Sequence, residues 1–168
     1  PDVQLYIMPY NRAVRDLNGL TPKDFLSAIE RAGFTVEYKG KEQVSPVQKG
    51  TFGMYLSEGW YLLTAHEKLH SPDPVKGLDV SILQENLLAP VLGIQDPRTD
   101  KRIDFVGGIR GLGELERRVS EDMTVAFSMC ATSISELLSV ADAGLLMPPK
   151  STWFEPKLRS GLFIHRLS

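Results

Sequence analysis

The sequence predicts an α+β fold, one domain with a mixed, largely antiparallel sheet and about four helices. Three observations carry this. Two apolar runs, Thr51 to Leu56 and Trp60 to Ala65, are separated by Ser57-Glu58-Gly59, the spacing of a short hairpin. A strand–helix–strand order runs from Arg102 to Met129 and predicts one parallel pair with a crossover helix. Several segments carry helix caps at their starts or glycines at their ends.

Taken in order, Val3 to Met8 alternates apolar and polar residues and reads as a strand that Pro9 ends. In Tyr10-Asn11-Arg12, which follows, Asn11 and Arg12 could touch a substrate or simply form a turn, and the turn is favoured. Thr21 is an N-cap and Pro22 takes the first helical position, where its missing N–H costs nothing. Phe25, Leu26 and Ile29 form the apolar stripe, and Gly33 closes the helix. Phe34 to Tyr38 is a strand and Lys39 to Lys49 a polar loop. After the hairpin, His66 to Lys76 holds two prolines and several charges, and is the expected internal boundary or mobile segment.

Asp79 is expected to cap a helix over Val80 to Leu88. Arg102 to Val106 is a strand, Leu112 to Val119 a charged amphipathic helix, and Thr124 to Met129 another strand. Thr132 or Ser133 caps a helix through Val140, with Glu136 placed as in a capping box. Thr152 to Glu155 and Leu162 to Arg166 read as strands, which brings the expected number to about eight.

Composition excludes several function classes. Lys plus Arg is 19 and Asp plus Glu 21, so the chain has no basic excess for coating nucleic acid. One cysteine, Cys130, excludes an internal disulfide and a cysteine-rich zinc site, and reads as a small buried hydrophobe. No apolar run suits a membrane helix, and no signal peptide is evident, so a cytoplasmic location and no membrane partner are expected. The chain begins with Pro1 rather than Met, and it is expected to be part of a longer protein.

Two segments offer donors for an anion. In Arg102 to Arg110, a strand ends at Gly107-Gly108, whose N–H groups could meet phosphate or carboxylate, with Arg110 as a clamp. The blander reading, a tight turn whose glycines permit positive φ, is favoured. In Met147 to Lys157, Pro148-Pro149 stiffens the approach to Lys150, Ser151 and Thr152, and Lys157 follows. An edge strand protected by prolines and charges explains that segment equally well. Asp96 to Asp104 alternates acids and bases and reads as a solvated loop rather than an ionic lid. His66-Glu67-Lys68-Leu69-His70 spells a zincin pattern but lacks room for the long helix, so no metal is expected.

Several segments together carry a family resemblance. They include Pro9-Tyr10-Asn11-Arg12, Leu17-Asn18-Gly19-Leu20, Phe52-Gly53-Met54-Tyr55 and Leu78-Asp79-Val80-Ser81. Ile103-Asp104-Phe105-Val106-Gly107-Gly108 and Met147-Pro148-Pro149-Lys150-Ser151-Thr152 are the most specific. The chain resembles the C-terminal half of a prokaryotic family catalogued as domain of unknown function 1015. The resemblance implies an N-terminal half with an Asp-Gly-His-His-Arg segment, similar to one in ParB-like proteins. Some of those bind nucleotides, and some relatives phosphorylate free serine. No such segment occurs in these residues.

The expectation is therefore an accessory half of a small-molecule enzyme, of phosphotransferase type, that binds an anionic or nucleotide ligand. Its partner would be the missing N-terminal half. The alternative is a structural or oligomerisation domain with no ligand of its own.

Overall fold

The computed structural model describes residues 3–158, with side chains over residues 7–152. Seven strands and four α-helices are found among them: β1 (Val3–Val14), α1 (Pro22–Ala32), β2 (Phe34–Gly40), β3 (Thr51–Leu56), β4 (Gly59–Ala65), α2 (Asp79–Leu83), β5 (Ile103–Gly107), α3 (Leu112–Glu121), β6 (Val125–Ser128), α4 (Ile134–Asp142) and β7 (Thr152–Leu158). The strand expected at Leu162 to Arg166 lies outside the described residues.

The sheet order is β2-β4-β3-β6-β1-β5, with β7 paired to β1. Every pairing is antiparallel. The α+β class and the four helices are as expected, but the parallel pair is not. Strands β5 and β6 are both antiparallel to β1, which lies between them. The crossover through α3 therefore skips one strand position, and β1 fills the gap.

That role explains why β1 is long. Pro9 does not end it. Before Pro9 the strand pairs with β7, ending at Pro9 opposite Thr152; after it the strand pairs with β5, starting at Tyr10 opposite Gly107. Proline donates no ladder hydrogen bond, so it is tolerated where one ladder hands over to the next. Asn11 and Arg12, expected in a turn, are instead buried strand residues, 2% and 4% exposed.

Alternation along the strands divides the core between two faces. Val14, Val125 and Phe127 face a cluster completed by Phe25 and Ile29 of α1 and Leu83 of α2. Ala13 and Ala126 face the other side, with Leu115 of α3 and Trp60. Arg12 has the parity of Val14 and so lies on the α1–α2 side.

Local signals were read well where they are complete in sequence. Thr21 Oγ1 accepts from Asp24 N, and Gly33 ends α1 at φ 114°. Ser133 and Glu136 form the capping box of α4. The hairpin loop is two residues, because Gly59 (φ 145°) already belongs to β4. A Cβ there would stand 2.5 Å from Gly40 O, so glycine also permits the close approach of β2.

Asp79 is not a cap. Leu78 holds that position and Asp79 is the first residue of α2, which continues as a π-helical turn through Gln84–Leu88. The segment after β4 is packed: Leu69 and Val75 lie against the main core, and Asp73 accepts from Val75 N and Lys76 N, both at 2.9 Å.

Candidate functional site

The middle of β1 is a meeting point. Gly107 stands opposite Tyr10, and an added Cβ at Gly108 would lie 2.9 Å from Pro9 O. Neither glycine has positive φ, so the tight-turn reading is replaced by close packing of Gly108 on Pro9. Thr152 pairs with Pro9, and the Lys150 ammonium sits 5.1 Å from the centroid of the Tyr10 ring. The two donor segments thus bracket Pro9 and Tyr10.

Their members differ in availability. Lys150 is exposed and has φ 56°, a conformation that costs a non-glycine residue about 1 kcal/mol or more. Ser151 is 5% exposed, and its hydroxyl donates to Pro148 O inside the turn. Thr152 is half-buried at the start of β7, and Lys157 stands in β7 opposite Gln4. Arg110 is exposed and lies 3.9 Å from Glu114, at the start of α3. It belongs to the acid–base lattice of α3 rather than to the Lys150 segment.

The residue that the sequence reading set in a turn, in preference to a substrate contact, is Arg12. Its guanidinium is buried on β1, with Nη2 donating to Lys150 O at 3.0 Å and Nη1 donating to Tyr10 O. Phe105, its register partner on β5, lies beneath it at 5.1 Å. Among the described residues no carboxylate pairs with it. Burial lowers its pKa to about 10, which leaves it charged at neutral pH. The sequence signal was an arginine two residues before Val14 in an alternating run, which extension of the strand past Pro9 would have exposed.

Arg12 forms part of the wall of a cavity of about 530 Å³. Val80 of α2, Gln84 of the π-helical turn that follows it, Gln95 to Arg98, and Pro148–Pro149 line the rest. The acid–base loop is therefore not merely solvated. Asp96 accepts from the Arg98 backbone N at 3.0 Å and from its guanidinium at 3.2 and 3.3 Å, which closes a local turn in the loop. The Gln84 amide donates to Ile94 O at 2.7 Å, tying α2 to that loop.

A second cluster joins Lys49, Asp79 and Glu136. Lys49 Nζ donates to Glu136 Oε2 at 2.7 Å and also to Gly77 O. Asp79 accepts from Gly50 N at 2.8 Å, yet burial pushes its carboxyl up to about 6. Cys130 is partly rather than fully buried, and its thiol is pushed up by desolvation and by Asp79. His66 and His70 flank a single 3-10 turn, with the His66 ring 3.1 Å from Thr35 Oγ1. Among the described residues no group of three His, Cys, Asp or Glu could hold a metal ion.

The model of a family described as a protein of unknown function (DUF1015) matches residues 1–81, which bears out the resemblance over that stretch. No curated protein matches the chain. A point mutant of a free serine kinase in complex with AMP is similar at 13% identity and TM-score 0.52, over 92% of this chain and 55% of that one. Another mutant, in complex with ADP, is similar at 16% identity and TM-score 0.50, over 92% and 54%. A conserved hypothetical protein from Pyrococcus furiosus is similar at 16% identity and TM-score 0.50, over 94% and 57%. These likenesses show the fold. The chain spans little more than half the length of each of these structures. No helix among the described residues is long and apolar enough to cross a membrane.

Proposed function

We propose that this chain, similar over residues 1–81 to the DUF1015 family, is the accessory half of a small-molecule enzyme of phosphotransferase type that binds an anionic or nucleotide ligand. The observation that carries the reading is the convergence of the Gly107-Gly108 and Lys150–Thr152 segments on Pro9 and Tyr10, with the Lys150 ammonium exposed above them. A strained backbone that presents a charged group at such a junction favours a ligand contact over a structural one. Fold likeness to free serine kinases solved with AMP and ADP agrees with it. The reading includes a cytoplasmic location and an N-terminal half of the same protein as partner. The role here is to position and to neutralise charge, the main contributions in phosphoryl transfer.

The test is titration of the full-length protein with AMP, ADP and phosphorylated metabolites, wild type against Lys150→Ala. A charge-assisted hydrogen bond contributes about 1.5–3 kcal/mol, so affinity should fall about 10- to 100-fold. Unchanged binding would remove Lys150 from the site.

One observation favours a second reading, a structural or oligomerisation domain. Ile134 and Leu138 are exposed one helical turn apart on α4, Leu145 and Leu146 follow them, and the Ser151 hydroxyl is spent inside the fold. Sedimentation that shows self-association abolished by Leu138→Glu, with no ligand bound, would decide for it.

A further inference from the structure

We propose that Arg12 is the seat of an oxyanion-binding site in the cavity between β1, α2 and the Gln95–Arg98 loop. Its ligand is the phosphate or carboxylate group of a small organic molecule. The site is separate from Lys150 in its chemistry, although Lys150 O helps to hold the arginine in place.

The argument starts from cost. A guanidinium cannot shed its proton at neutral pH, and removing it from water is expensive unless an anion accompanies it. Arg12 is 4% exposed and has no carboxylate among the described residues. Two backbone carbonyls and the Phe105 ring hold it. They satisfy two of its five N–H donors and fix the plane of the group, but they supply no net negative charge. A side chain so immobilised has already lost the rotamer freedom that binding would otherwise remove.

The surroundings match. The cavity bordered by Arg12 has about 530 Å³, within the range of small-molecule sites and larger than a bare phosphate requires. The anion is then the head group of a larger ligand. Arg98, also in the lining, pairs with Asp96 and so neutralises the one carboxylate on the cavity wall. Val80 and the Pro148–Pro149 rim provide apolar surface for the remainder of the ligand.

The test uses the full-length protein and sodium phosphate, with sodium chloride at matched ionic strength as control. The first readout needs no variant: the Arg12 Nε–Hε resonance in ¹⁵N-edited spectra. Phosphate should shift it in a saturable way and chloride should not. The second readout is thermal stability, since a ligand specific to the folded state raises Tm with its concentration. Wild type should gain Tm in phosphate, and Arg12→Met should lose that gain, with affinity at least about tenfold weaker. Arg98→Ala, at an exposed position that leaves the core intact, should weaken binding by a smaller factor.

Lys150→Ala separates this site from the function proposed above. If the Arg12 resonance still responds in that variant, this site stands whether or not Lys150 touches the ligand. An Arg12 resonance unmoved by phosphate in the wild-type protein overturns the proposal. So does a phosphate-induced Tm gain that survives in a folded Arg12→Met variant.

Discussion

Arg102, partly exposed, and Arg12, buried, flank the same sheet and satisfy a guanidinium in opposite ways. Arg102 arrives with its anions. Asp100 accepts from Nε at 3.2 Å and from Nη2 at 2.9 Å, Asp16 stands 3.4 Å from Nη1, and the Leu92 and Gly93 carbonyls accept at 2.9 and 3.0 Å. The fold has thereby stitched the end of the α2 segment to the turn after β1. Arg12 is more deeply buried and receives carbonyls and an aromatic ring, but no carboxylate among the described residues. A structural arginine brings its counterions within the chain. One that lacks them, beside a cavity, is arranged for a counterion from outside.

The widest separation between the two should come from the same substitution at each. Arg102→Met removes bonds to two carboxylates and two carbonyls and leaves Asp100 and Asp16 without their shared cation. It should cost about 1–2 kcal/mol in urea unfolding. Arg12→Met loses two carbonyl bonds but also removes an uncompensated buried charge, and should change stability by less than about 1 kcal/mol in the absence of ligand. Equal losses at the two positions would erase the distinction.

Asp79 sharpens the comparison from the acidic side. It too is confined, and its cation, Lys49, is shared with Glu136. Its carboxyl titrates near 6 in the fold and near 3.8 when unfolded, so the folded state holds the proton more tightly. The stabilisation from that protonation is complete below about pH 3.8, and is lost as pH rises towards 6. Asp79→Asn keeps the acceptor for Gly50 N and never ionises. It should match wild type near pH 3.5 and exceed it by about 3 kcal/mol at pH 7, read from denaturation midpoints across pH. A variant no more stable at pH 7 than at pH 3.5, relative to wild type, would show that Lys49 already compensates the charge.

What was readable in the sequence follows the reach of each signal. The caps of α1 and α4 and the β3–β4 hairpin depend on residues within one turn of each other, and all three were found. The position of β1 between β5 and β6 depends on contacts of about a hundred residues' separation, such as Met129 N donating to Asn11 Oδ1. No local pattern encodes that, so an adjacent parallel pair was expected instead. Arg12 was assigned to a turn for the same reason. A proline that would end an isolated strand is harmless at a handover between partners, and only the partners reveal the handover. Lys150 was singled out because its Pro-Pro approach is local. What could not be read was that Ser151 turns its hydroxyl inward to Pro148 O.

The smallest effect is expected on α3, where the charges are paired and exposed. Arg117 donates from Nε and Nη2 to Glu114 at 2.8 and 2.7 Å, and from Nη1 to Glu121. More ion pairs meet here than at Arg12, yet the Arg117 side chain is 53% exposed. Water solvates the separated charges nearly as well as their partners do, and ordering a long side chain offsets much of what remains. Arg117→Ala also replaces a good helix former with a better one. The denaturation midpoint should therefore stay within experimental error of wild type. Salt provides the contrast with Arg102: exposed pairs are screened over about 10 Å at 0.1 M, while confined ones are screened much less. The Arg102→Met penalty should thus persist in high salt. If Arg117→Ala shifts the midpoint clearly at low salt and not at high salt, the α3 lattice contributes more than exposure alone allows, and the number of ion pairs would matter more than their burial.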